Sequence, residues 1–430
     1  MRFCPCFGSD EAKAIADRDP VLLVSGMGGS IVNSKPKTFG FTTRVWVRLL
    51  LADMEFRKKI WSLYNPKTGY CETLDKKSKL VVPDDDHGLY AIDILDPSWF
   101  TKCVHLTEVY HFHDMIDMLV GCGYEKGTTL FGFGYDFRQS NRIDKSMEDL
   151  KHKLETAYKA SGGRKVNLIS HSMGGIMISC FMSLHGDVFT KYVNKWICLA
   201  CPFQGDSFAV ACFPFFWPLF FLLVECPSVY EMLANPSYEW KKQPEILVWR
   251  KHTKDGDNNT NLESYGPTQS ISLFEEALRN NELSYNGKTI RLPFNFDILD
   301  WAIKTRQLIA NAKLPDGVSF YNIYGTSLDT PFDVCYGSED SPIEDLSEIC
   351  QTMPLYSYVD GDGTVPAESA KADGLKATER VGVGASHRGI LRDETVFQHI
   401  QKWLGVEPLV SKQSKTSKVA DADRIVPMVL

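Results

Sequence analysis

Ser172 lies within VNLISHSMGGIMISCFM (166–182), with Ser170 and Gly174 two residues away on either side. Residues 166–170 are a short apolar run of the kind that fills a buried parallel strand, and the apolar residues after Gly174 and Gly175 open a helix. A serine on such a tight strand-to-helix turn has its hydroxyl lifted above the sheet edge. The unpaired N–H groups of the helix start lie beneath it and can meet a developing oxyanion. Small residues are needed on both flanks, because a Cβ there collides with neighbouring backbone. The pattern is Gly-X-Ser-X-Gly with serine in the first place, and its strand-helix setting marks Ser172 as a nucleophile.

A serine hydroxyl attacks poorly near neutral pH unless a base touches it and an acid orients that base. In a hydrolase built on this kind of sheet the chain order is Ser, then Asp or Glu, then His. Of ten histidines only His387 and His399 follow the late acidic turn at 360–364. His399 falls inside the amphipathic helix expected over 394–404. His387 follows a last strand, 380–383, through the small residues Gly384, Ala385 and Ser386, which makes it the candidate base. The acid stays open. Topology favours a carboxylate soon after the strand at 318–324, such as Asp329 or Asp333, whereas the Gly-flanked turn DGDGTVP offers Asp360 and Asp362, which spacing does not separate. That turn is no Ca²⁺ loop, since its ligand alternation stops at Thr364, and no metal site is assigned anywhere. Near the start, the apolar run 21–24 leads into Ser-Gly-Met-Gly-Gly-Ser (25–30). No Gly-Lys-Ser or Gly-Lys-Thr ending follows, so the loop is read as an oxyanion donor through the N–H of Met27, alongside that of Met173.

The elements between these landmarks alternate strand and helix: a helix at 109–120 ending at Gly121 and Gly123, a strand at 129–133, a helix at 143–160, then the strand before Ser172 and another at 195–201. This is the pattern of a mostly parallel sheet with helices on both faces. Asp136 and Arg138 are read as a structural pair at a strand end. Residues 41–86 mix bulky apolar and basic side chains, among them Trp46, Leu49, Phe56, Ile60 and Trp61, as suits either a surface at a lipid headgroup layer or an amphipathic insert packed on the core. The stretch 208–224 carries no charge, but Pro214 and Pro218 interrupt it, so it is read as a lid or cap element, not a span. Residues 226–315, with a loop at 254–261, complete a cap. Residues 325–349 read as acidic and irregular, and the tail from 411 as disordered.

Composition narrows the class. With 44% hydrophobic residues the 430-residue chain can bury a large core, and a net charge of −7 without a strongly basic block argues against nucleic acid as a partner. Twelve cysteines, several in apolar runs (Cys180, Cys198, Cys212), read as reduced thiols in a reducing compartment. The start MRFCPCFGSDEAKA has no apolar signal core, although Cys4 and Cys6 are candidates for acylation.

Together VSGMGGS, GYDFRQS, HSMGG, CPFQGD, DGDGTVP and the late ASH resemble the lecithin:cholesterol acyltransferase family, closest to its plant phospholipase A1 members. The resemblance implies one α/β-hydrolase domain over 18–405, with a membrane-binding insert at 41–86, a lid and cap at 203–316, a leader at 1–17 and a tail at 406–430. It implies Ser172 as nucleophile, Asp362 as acid, His387 as base, and Met27 and Met173 as the oxyanion hole. The expected reaction is metal- and cofactor-free hydrolysis of a glycerophospholipid acyl ester, with transfer to a sterol, lysolipid or diacylglycerol, or lipid binding without catalysis, as alternatives. Ser170 departs from the elbow's usual glycine, and neither the secreted members' signal peptide nor their early disulfide has a counterpart, Cys71 having no near partner in sequence. The expected setting is therefore intracellular and peripheral, on the cytosolic surface of the endoplasmic reticulum.

Overall fold

A computed structural model describes residues 18–47, 58–98, 107–206, 223–254 and 257–409. Six strands, β1 (Val21–Val24), β2 (Leu130–Phe133), β3 (Val166–His171), β4 (Val193–Leu199), β5 (Ser319–Gly325) and β6 (Glu379–Val383), make the central sheet. Every pairing in it is parallel and the order is β6-β5-β4-β3-β1-β2. From β1 the chain is laid first to one side, as β2, and then to the other, as β3. The crevice at the carboxyl ends of β1 and β3 is where such sheets bind their ligands.

Burial on both faces explains the strands' composition. Val21, Leu23, Ile169 and Ile197 face one core, with helices α1 (His113–Gly121) and α5 (Glu394–Leu404), while Leu22, Val24, Leu168 and Trp196 face the other, with α2 (Asp144–Ala160) and α3 (Met173–Leu184). Sequence periodicity does the rest. In α5, Val396, Ile400 and Trp403 recur on one buried stripe, the Asp393 side chain caps the Val396 N–H at 3.0 Å, and Gly405 ends the helix at φ 69°.

Between β4 and β5, where the sequence leads to the expectation of a cap, the described residues include α4 (Phe296–Ala310), whose first turn is capped by Asn295. It is tied to the core by buried acids. Glu231 accepts from Ser140 Oγ at 2.5 Å, Asn141 N at 2.9 Å, Asn141 Nδ2 at 2.7 Å and Thr305 Oγ1 at 2.8 Å. Glu225 accepts from Tyr64 N and Asn295 Nδ2. Burial raises the pKa of both, against the lowering effect of these donors.

Two expectations change, and a choice left open in the sequence is narrowed. Residues 325–349 are not irregular: Leu328–Tyr336 is a strand, paired parallel with Ile246–Lys254 and antiparallel with Leu355–Gly361. Its alternation is hidden by Pro331 and the aspartates, and its partners come from distant sequence. The loop expected at 254–261 is mostly an edge strand, Asp257–Tyr265, whose polar residues need no buried face. Within 41–86, Trp46, Ile60 and Trp61 turn inward, the last two buried, because the strands around them fold back on the central sheet. Residues 48–57, Leu49 and Phe56 among them, most of the apolar run 208–224, Cys4 and Cys6 with the leader, Cys212 and the tail from 410 lie outside the described residues. Among the described residues no helix is long and apolar enough to cross a membrane, and every cysteine is a free thiol.

Candidate active site

Ser172 follows β3 directly and takes φ 54°, ψ −130°, a strained backbone for a residue with a Cβ. Its neighbours must be small. A Cβ on Gly174 would stand 2.5 Å from the Ser25 carbonyl oxygen, and one on Gly175 would stand 2.6 Å from Cys201 Sγ. Ser170, where a glycine is usual, points its hydroxyl to Trp196, whose indole N–H donates to it at 2.8 Å. The extra oxygen is thereby satisfied in a fully buried place.

The carboxyl ends of the strands bring the other candidates to this serine. His387 Nε2 lies 2.9 Å from Ser172 Oγ, and His387 Nδ1 lies 2.7 Å from Asp362 Oδ2. The partners set the tautomer: a carboxylate accepts, so Nδ1 carries the hydrogen and Nε2 faces the serine hydroxyl with a lone pair. Asp362 is held in turn by the N–H groups of Thr364 and Val365 on Oδ1, at 2.9 and 2.6 Å, and its own carbonyl accepts from His387 N at 2.8 Å. Burial pulls the pKa of His387 down, but the charge and hydrogen bond of Asp362 outweigh it and leave the imidazole above its ordinary value.

A second imidazole lies against the first. The ring centroids of His171 and His387 are 4.8 Å apart, and His171 Nε2 is 2.8 Å from the His387 carbonyl oxygen. A carbonyl only accepts, so His171 donates there. Burial holds the pKa of His171 well below the ordinary value, so the ring stays a neutral donor. His111 stands beyond it, its pKa brought by burial to about 3. Sequence reading passed over His171 as one variable position of the serine motif, and its adjacency to Ser172 was the one available signal. Thr330, whose hydroxyl accepts from Gly363 N and steadies the acid's turn, carried no signal.

The first loop reaches the same point. A Cβ on Gly26 would stand 2.8 Å from both Ser172 Cβ and the His171 carbonyl oxygen, and 3.4 Å from Met173 N. The residue before Met27 is thus packed on the nucleophile's own backbone. Gly28 takes φ 65°, and its carbonyl oxygen accepts from the Trp46 indole N–H at 2.7 Å, which ties the loop to Trp46. Among the described residues no hydrogen bond uses the N–H of Met27 or of Met173.

The remaining acids lie elsewhere. Asp360 accepts from the Thr326 hydroxyl and the Ser327 N–H, Asp333 is buried with Lys242 and Ser357, and Asp329 is exposed. His399 packs on Trp403 in α5. Asp136 and Arg138 form an ion pair after β2, Arg138 buried and Asp136 half-buried, with Arg138 also donating to the Ile60 carbonyl. Among the described residues no group of three or more His, Cys, Asp or Glu side chains could hold a metal ion.

A parallel sheet of this order, with a serine turned out after its central strand, defines the α/β-hydrolase fold. Residues 41–214 match the family model described as lecithin:cholesterol acyltransferase. The chain is 65% identical to a protein of Arabidopsis thaliana named phospholipase A(1) LCAT3, over 97% of this chain and 99% of that one. It is 49% identical to lecithin-cholesterol acyltransferase-like 4 of the same plant, over 90% and 76%. A bovine (Bos taurus) lysosomal phospholipase A and acyltransferase is 26% identical over 84% of each. The chain belongs to the lecithin:cholesterol acyltransferase family.

Proposed function

We propose that this protein is a phospholipase A1 that hydrolyses an acyl ester of glycerophospholipids through an acyl-serine intermediate. One observation carries the reading: an unbroken line of hydrogen bonds runs from Asp362 through His387 to Ser172 at the carboxyl ends of the sheet. The near-full-length likeness to a protein named as a phospholipase A1 supports the substrate class.

His387 Nε2 takes the hydroxyl proton as Ser172 Oγ attacks the ester carbonyl, and Asp362 stabilises the imidazolium that results. The carbonyl oxygen becomes an oxyanion facing the N–H groups of Met27 and Met173. Collapse breaks the ester bond, His387 returns its proton to the departing lysolipid oxygen, and water repeats the sequence on the acyl-serine to release a fatty acid. No step requires a metal. An alcohol in place of water would give transacylation, a second reading favoured by the bovine relative's double name.

The substrate is met at a membrane surface. Phe39 and Phe41 are 100% and 92% exposed at the tip of a hairpin. Exposed Lys35, Lys37, Lys77 and Lys79 lie around them, Lys35 opposite Lys79 in register, which suits an anionic headgroup layer. This supports peripheral attachment to a cytosolic membrane face for the single catalytic domain at 18–405.

The test uses liposomes of a phosphatidylcholine with two distinguishable acyl chains. Ser172→Ala should lower fatty-acid release by at least about 10³-fold while liposome binding holds, and the wild-type lysolipid should keep its sn-2 chain, with or without a chelator. Near-normal turnover in Ser172→Ala would end the reading.

A further inference from the structure

A cavity of about 380 Å³ opens in the cap, between α4, the helix Ser270–Ala277 and the second sheet. None of Ser172, Asp362 and His387 lines it. Its walls are largely apolar, with Leu233, Ile246, Ile271, Leu299 and Phe332 among them. At this volume, near the small end of the roughly 300–1,000 Å³ of ligand sites, it suits one alkyl chain better than a two-chain lipid.

One cation lines these walls. Arg306 gives Nη2 to the carbonyl oxygens of Glu231 and Leu233, and among the described residues it forms no ion pair with a carboxylate. Glu245 also lines the cavity but forms no ion pair with Arg306. Burial brings the pKa of Arg306 down to about 10, against the opposing charge of Glu231, and the half-buried guanidinium has only neutral carbonyl oxygens as hydrogen-bond acceptors. A planar carboxylate is the ligand group that matches a guanidinium best.

We propose that this cavity binds one long-chain fatty acid anion, with its chain among the apolar walls and its carboxylate at Arg306. The site is separate from the catalytic serine. Fatty acid is also the acid released in the proposed reaction, but binding at this cavity stands whether or not that reading holds.

The experiment titrates the full-length Ser172→Ala protein with palmitate, followed by calorimetry, with folding checked by circular dichroism. One palmitate per chain should bind in a manner that depends on the cavity. Arg306→Gln should weaken palmitate by about tenfold or more while changing the affinity for hexadecanol, which has no charge, less than threefold. Ala302→Trp, which fills the cavity from α4, should remove binding; should it not fold, Ile271→Trp at a half-buried wall position takes its place. Palmitate affinity unchanged in both the Arg306 and the cavity-filling variant would overturn the proposal. Single-chain lysophosphatidylcholine binding as tightly as palmitate would overturn the carboxylate assignment.

Discussion

The mouth of the central sheet and the cap bury ionisable groups in opposite ways. At the sheet, His387 is enclosed with a charged partner, Asp362, and its proton affinity is raised despite burial. In the cap, the Glu231 carboxylate accepts hydrogen bonds from neutral donors, Ser140, Asn141 and Thr305, and burial dominates its pKa. A charged pair holds a proton where it can move to a third group. A lone acid among neutral donors has nowhere to send one, and works as a node joining the cap to residues 140 and 141.

The contrast predicts that breaking the first region costs rate and breaking the second costs stability. Asp362→Asn should have the largest effect, a fall in kcat of roughly 10³–10⁴-fold with unfolding little changed, whereas Asp360→Asn should stay within about tenfold of wild type. Equal losses in the two would show that the acid is wrongly chosen. The pH profile carries the sign. Activity requires neutral His387, so kcat/KM rises through its pKa; removing the Asp362 charge lowers that pKa and should move the acid limb of the residual activity to lower pH. Glu231→Ala leaves buried donors unpaired and should lower unfolding stability by about 2–4 kcal/mol in denaturant titration, with the pH profile of the remaining folded enzyme unmoved.

Smaller effects sharpen the boundary of the first region. His171→Phe keeps a ring beside His387 but removes the donor to its carbonyl, and should lower kcat by about ten- to a hundredfold with KM nearly constant. Restoration of most of that loss in His171→Gln would identify the hydrogen bond as the cause, and a loss confined to thermal stability would argue against a positioning role. Smallest is the hairpin tip. Phe39→Ser with Phe41→Ser should weaken binding to anionic vesicles severalfold and leave turnover of a soluble short-chain ester unchanged.

Much of this was readable along the chain, because some constraints act over a few residues. The buried runs of β1, β3 and β4, the small residues around Ser172 and the stripe of α5 each follow from local sterics or from one period of hydrophobicity. The second sheet was not readable, since Leu328–Tyr336 is a strand by virtue of partners at 246–254 and 355–361. Nor was the inward turn of Trp46 and Trp61, whose mixture with cations has the same composition as an interfacial surface.

By itself the sequence determined which residue types were present and in which order: a serine on a tight elbow, an acidic turn, a late histidine after a strand. Those depend on backbone geometry that a handful of neighbouring residues impose. Only the tertiary structure set Asp362, and not Asp360 two residues before it, against His387, because alternate positions there are aimed by the pairing of Leu328–Tyr336 with Leu355–Gly361 and by the Thr364 and Val365 N–H groups. It also decided that His171 meets the His387 carbonyl across 216 residues of chain, a contact between the end of β3 and the loop after β6 that no local preference encodes.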